Sequence, residues 1–173
     1  MSPPPLDHRL LQTAQGLDDQ QIGALWSMAE SLQSMRDTSA MPGLLKGANI
    51  ALVCQEQDAA SEDARVFERA ATQLGARVAR IRSAEVGQAG LTDLGAMARL
   101  FGRLYDAVEC QGVDERVIEQ LEAQAGIVVY HGIGSAKHPV FLGLKPLMRR
   151  GLPEDEQACR EAVIQSILLS TLR

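Results

Sequence analysis

Apolar positions along the chain fall into two kinds of run that alternate. Ala48 to Cys54 and Ile127 to Tyr130 are short and nearly continuous, as expected of strands buried on both faces. Arg77 to Ile81 alternates, and Ala107 to Cys110 makes a further short strand. Between them lie stripes of helical period. Leu17-Asp18-Asp19-Gln20-Gln21 reads as a helix start, with Asp18 and Gln21 as a capping box and Leu17 stapling to Ile22. Ile22, Leu25, Trp26, Ala29 and Leu32 follow, and Trp26 reads as a core or interface residue. Further helices are expected over Ser61 to Leu74, stopped by Gly75, over Thr92-Asp93 to Leu104, and over Val113-Asp114 to Ala125-Gly126. Pro139 opens another helix that Pro146 ends or kinks. Pro153 opens a closing helix with a stripe of Ala158, Ala162, Val163, Ile167 and Leu168. Asp37 to Gly43 and Gly87 to Gly90 read as loops.

The order is a helix, four strand–helix units and a final helix. This predicts an α/β fold, a doubly wound open sheet of about four parallel strands covered by helices on both faces. Ligand sites in such sheets lie beyond the carboxyl ends of the strands, here near Cys54, Ile81, Cys110 and Tyr130. One domain is expected over residues 9–173, with 153–173 as a terminal helix packing back on it. The three prolines near the start predict a disordered arm over residues 1–8.

Composition narrows the partners. The 173 residues carry 22 acidic and 17 basic side chains, a formal charge of −5, which offers no field for nucleic acid. No apolar run is long enough to span a bilayer, and no secretory signal opens the chain, so no membrane partner and a cytoplasmic location are expected. Cys54, Cys110 and Cys159 are widely spaced and odd in number, as in a reduced protein.

Several side chains near the strand ends could carry chemistry. Cys54, Cys110 and His131 are conceivable zinc ligands, but their spacing is irregular, and the expectation is no metal and no cofactor. Gly132-Ile133-Gly134-Ser135 could bind an anion through backbone amides, or simply turn from strand to helix. Ser61 reads as a helix cap, with Glu62 and Asp63 complementing the dipole in the first turn.

A family resemblance runs from Leu10 to Leu147. Leu44-Leu45-Lys46-Gly47 is similar to an L-L-K-G-K run, and Phe67-Glu68-Arg69-Ala70 through Leu74-Gly75 resembles F-E-x-A-x-x-x-L-G. Ala98-Arg99-Leu100 through Asp106-Ala107-Val108 is similar to A-R-V-L-S-R-Y-x-D-A-I. His131-Gly132-Ile133 through His138-Pro139 keeps the spacing of N-G-L-x-x-x-x-H-P. In that order these motifs resemble the carbamoyl-phosphate-binding domain of ornithine and aspartate carbamoyltransferases. Asp155 to Val163 resembles the helix that returns from the family's second domain, so the resemblance implies that this second domain is absent.

The resemblance also implies a changed site. The family's S-x-R-T-R phosphate loop falls on Ala60-Ser61-Glu62-Asp63-Ala64, where both arginines are missing. A carboxylate ~5 Å from a phosphate charge costs roughly 3 kcal/mol at an effective dielectric near 20. The family arginine after strand three falls on Gln111, and H-P-C-Q becomes His138-Pro139-Val140-Phe141. His138 remains as the one candidate catalytic residue, implied to polarise a carbamoyl oxygen. Ser61, Glu62, Asp63, Gln111, His131 and His138 are the candidate ligand-binding set. The expectation is a degenerate carbamoyltransferase-like protein without transfer activity. It would act by oligomerisation, as a trimer or on an active carbamoyltransferase homologue, or by binding a small non-phosphate ligand. The alternative is a residual carboxyl- or carbamoyltransferase-type enzyme of amino-acid metabolism using His138.

Overall fold

The computed structural model describes residues 6–12, 16–37, 43–55, 61–87, 94–151 and 156–172. After a 3-10 turn over His8–Gln12, the elements are α1 (Asp19–Asp37), β1 (Asn49–Cys54), α2 (Glu62–Gln73) and β2 (Arg77–Arg82). Then come α3 (Ser83–Gly87), α4 (Leu94–Leu104), β3 (Ala107–Gln111) and α5 (Glu115–Gln124). The chain closes with β4 (Val128–Tyr130), α6 (Pro139–Gly151) and α7 (Glu156–Thr171). Among the described residues the strands form one parallel sheet in the order β2-β1-β3-β4. It is the α/β sheet flanked by helices on both faces that the strand–helix alternation predicts.

Local chemistry sets the helix starts as expected. Asp18 Oδ1 accepts from Gln21 N at 2.7 Å while Asp18 N donates back to Gln21 Oε1 at 3.0 Å, closing the capping box. Ser61 Oγ caps α2 and Asp114 caps α5. Gly75 follows α2 with φ of 89°, a conformation that disfavours a Cβ. Gly87 ends the single turn of α3 rather than opening a loop; residues 88–93, with the expected start at Thr92-Asp93, lie outside the described residues.

Alternation along the strands sorts side chains onto two cores. Ile50, Leu52, Ala107 and Tyr130 face α1, α2, α6 and α7. Ala51, Val53, Val108, Cys110 and Val129 face α3, α4 and α5. Edge strand β2 carries Arg77, Arg80 and Arg82, whose charge discourages pairing with another chain. The approach of α4 to the end of α5 is closer than any Cβ permits, because one built on Gly102 would meet Ala125 O at 1.9 Å.

Two expectations are corrected in the last third of the chain. Helix α6 is not ended by Pro146 but runs through it to Gly151. Pro146 lies on the solvent side, where water can satisfy the Leu142 carbonyl that lacks a helical donor. Helix α7 is not a one-striped surface helix. Every residue from Cys159 to Ser170 is buried, wedged between α1 and α2. Of the arm expected over 1–8, residues 1–5 lie outside the described residues, as does Pro153. Leu6 is not free, since its N donates to Ser170 O at 3.1 Å and ties the start of the described chain to α7.

Ile167 is fully buried in α7. Ile167→Ala is expected to cost about 2–5 kcal/mol, read as a lower midpoint in urea unfolding.

Candidate functional site

At the carboxyl end of the sheet, three segments meet at Gly134. A Cβ there would lie 2.3 Å from Gln111 Nε2 and 2.8 Å from Asp63 O, so only glycine lets the loop after β4 lie against β3 and the first turn of α2. Of the expected set, Asp63 and Gln111 come together here. Ser61 Oγ is occupied as a cap, accepting from Ala64 N at 3.2 Å. Glu62 faces solvent.

The centre of the cluster is a residue that the strand pattern passed over. Glu109 sits on β3 opposite Leu52 and Tyr130 and is 0% exposed. Its carboxyl accepts from Ile133 N at 3.2 Å, Gly134 N at 3.0 Å and Gln111 Nε2 at 3.0 Å. Burial pushes its pKa up to about 8, against the pull of those same hydrogen bonds. The two sequence readings of Gly132 to Ser135 thus merge. The segment is a turn, with Ser135 N donating to Gly132 O, and its amides do hold an acid, which is the protein's own.

A cation comes from the opposite side. Arg160 on α7, 6% exposed, donates through Nη2 to Asp63 Oδ1 at 2.6 Å and to Gly134 O. Its Nε and Gln111 Oε1 are buried without a hydrogen-bond partner. Asp63 is thus already paired, and an arginine stands beside the first turn of α2 although none is encoded at residues 60–64.

His138 is buried in the loop, and burial pushes its imidazole down to about 4. Its Nδ1 accepts from Val140 N at 3.3 Å, which leaves the proton of the neutral ring on Nε2. The ring is therefore a neutral donor at pH 7, suited to polarising a carbonyl but not to pairing with an anion.

His131 does not join the cluster. It turns outward to Glu122 Oε1 at 2.9 Å and to Gln12 Nε2 at 3.1 Å. The zinc alternative fails for the same reason. Alternation puts Cys54 on the α7 side of the sheet and Cys110 on the α4–α5 side, while His131 faces Glu122. Among the described residues no three His, Cys, Asp or Glu side chains gather as metal ligands would. The three cysteines are buried and form no disulfide, and burial pushes Cys110 and Cys159 up, away from thiolate chemistry. A separate cleft of about 640 Å³ opens beside the amino ends of β3 and β4, lined by His8, Tyr105, Asp106, Glu122 and Thr171 among others. It holds none of the expected set.

Glu109 and Arg160 are the residues that sequence reasoning missed. The signal for Glu109 was a single acid inside an otherwise apolar strand, since buried acids almost always have partners. Arg160 left no signal, because its partners lie about 26 and 97 positions away.

Fold and site define a doubly wound α/β domain with a polar cluster at its strand ends. No family model matches the chain. It is 32% identical over 117 residues to the catabolic ornithine carbamoyltransferase of Pseudomonas putida, covering 66% of this chain and 34% of that protein. Against the ornithine carbamoyltransferase of Actinobacillus pleuropneumoniae the identity is 30% over 136 residues, covering 78% of this chain and 40% of the relative. Aspartate transcarbamoylase of Trypanosoma cruzi, solved with phosphate, superposes with a TM-score of 0.64 at 19% identity, over 85% of this chain and 45% of that one. Ornithine carbamoyltransferase of Pyrococcus furiosus gives 0.60 at 23% identity, over 76% and 41%. The chain is a distant match to the ornithine/aspartate carbamoyltransferase superfamily. It spans well under half the length of these relatives, between 34% and 45%. Among the described residues no helix is long and apolar enough to cross a membrane.

Asp63→Asn removes the carboxylate from a buried guanidinium. Because Asp63 is about a third exposed, a loss of about 1–3 kcal/mol is expected. Thermal melts with millimolar phosphate should raise the Tm of the variant and leave the wild type unchanged. An equal response from both would show that Asp63 does not hold Arg160 away from anions.

Proposed function

We propose that this chain is a carbamoyltransferase-like protein without carbamoyl transfer, acting by association with copies of itself or an active homologue, or by holding a small non-phosphate ligand. The Asp63–Arg160–Gly134 junction carries the reading. Where the family resemblance implies two arginines awaiting a phosphate, this chain has an acid already paired with its own arginine. The loop amides that could take a second anion are bonded to Glu109. Binding a dianion would therefore require breaking internal bonds as well as overcoming the charge of Glu62. A neutral or cationic ligand meets neither obstacle.

Association supports the reading from another side. The resemblance implies trimers built through this domain, and a trimer of a single-domain chain, residues 9–173, suits a protein that works as a partner. Buried reduced thiols fit a cytoplasmic setting. A second reading, a residual transferase, draws on His138, whose neutral imidazole keeps its Nε2 proton for a carbonyl.

Calorimetric titration with carbamoyl phosphate is expected to give no binding at millimolar concentration. Binding by the wild type that disappears in His138→Ala would favour the residual enzyme. Light scattering is expected to give a mass near three times 18.7 kDa, and a strict monomer would remove the association reading.

A further inference from the structure

We propose that the cleft at the amino ends of β3 and β4 is a binding site for a small zwitterion, a molecule with an ammonium and a carboxylate joined by an apolar body. The cleft shares no lining residue with the Gly134 junction. The inference therefore goes beyond the proposed function and stands if that reading fails.

Parts of the chain that are distant in sequence form the walls. His8 and Arg9 come from the 3-10 turn, Tyr105 and Asp106 from the corner between α4 and β3, Glu122 from α5, and Leu172 from just beyond α7. Contacts outside the cleft hold these parts in place. Leu11 buries the 3-10 turn in the core. The ring of Tyr105 lies against Phe101, with centroids 5.4 Å apart. Leu172 N donates to Leu168 O at 3.0 Å. The lining also includes Gly126, where φ is 68° and a Cβ would meet nothing within 4 Å, so no side chain fills the space there. The volume of about 640 Å³ lies within the roughly 300–1,000 Å³ usual for small-molecule sites.

The charges in the cleft are left open to a ligand of both signs. Asp106 Oδ2 accepts from Asn49 N at 2.7 Å. Glu122 Oε1 accepts from Gln12 Nε2 at 2.9 Å and lies 2.9 Å from His131 Nε2. The second oxygen of each carboxylate has no partner among the described residues. On the 3-10 turn, Arg9 N donates to Asp7 Oδ1 at 3.0 Å, but the Arg9 guanidinium makes no ion pair among the described residues. His8 adds no charge at pH 7, because burial pushes its imidazole down.

One guanidinium and two carboxylates therefore line a single cleft without closing on each other. A ligand with one charge would satisfy one sign and leave the other open. A zwitterion can set its ammonium on the free carboxylate oxygens and its carboxylate on the Arg9 fork, both through charge-assisted hydrogen bonds. The Tyr105 ring, Ile127 and Leu172 offer apolar surface to a hydrocarbon body between the two ends.

Two-dimensional amide NMR of the full chain both locates and measures the binding. The zwitterionic probes are γ-aminobutyrate and the longer ε-aminocaproate. Pentylamine and hexanoate each keep the longer body and only one of its charges. At least one zwitterion is expected to shift the amides of Tyr105, Asp106, Gly126 and Leu172 saturably, with a dissociation constant of about a millimolar. Pentylamine and hexanoate should bind about fivefold or more weakly than that zwitterion, as expected for losing one partly exposed charge contact. Arg9→Gln should weaken the zwitterion by a similar factor and leave pentylamine unchanged, while Glu122→Gln should weaken both. No saturable shift from either zwitterion at tens of millimolar overturns the site. So do equal affinities for the zwitterion, the amine and the carboxylate, or shifts confined to residues outside the cleft. The comparison of probes on the wild type decides the matter even if a variant fails to fold.

Discussion

The fold rests on burying one polar helix. Helix α7 is enclosed on every side from Cys159 to Ser170, yet five of those twelve residues are polar or charged. Each buried polar group costs stability unless a partner takes it. Glu161, 4% exposed, accepts from Arg69 Nε at 2.8 Å and Arg36 Nη2 at 3.1 Å. Gln165 Nε2 donates to Gln73 Oε1 at 2.8 Å and to Ala70 O at 3.3 Å. Ser166 and Ser170 bond back to carbonyls of their own helix. The apolar residues of α7 supply the burial, and the polar ones fix its rotation and height against α1 and α2. A helix held by apolar contact alone could slide by a turn; this one would break ion pairs on two neighbours to do so.

That constraint reaches the strand-end cluster. Arg160 lies one residue before Glu161, so the register set by Glu161 also delivers the Arg160 guanidinium to Asp63 and Gly134. The order of effects runs from helix packing to loop position. Three elements far apart in sequence thus share a single polar junction. It joins one arginine and one aspartate at Gly134, whose amide bonds the buried Glu109.

Much of the fold was legible from the sequence because its signals are local. The Asp18–Gln21 box, the Ser61 and Asp114 caps and the four strand runs each depend on residues within a few positions. What escaped depends on distant partners. Helix α3 is one turn long, too short to show a period. The burial of α7 on all sides was hidden because its polar residues look solvent-facing until their partners on α1 and α2 are known. Pro146 was read as ending or kinking its helix, and the helix continues because water reaches the freed carbonyl on that exposed face. In the site, Asp63 and Gln111 meet at Gly134, whereas His131 does not join them, since Glu122 on α5 draws it outward. Glu109 and Arg160 went unseen because a buried charge is recognised by what surrounds it.

The packing of α7 on α1 and α2 has a consequence for exchange between chains. Helix and groove belong to one chain, so their docking is an intramolecular event, favoured over the same contact made with a second copy in dilute solution. Helix α7 is in effect a ligand that the protein carries with it.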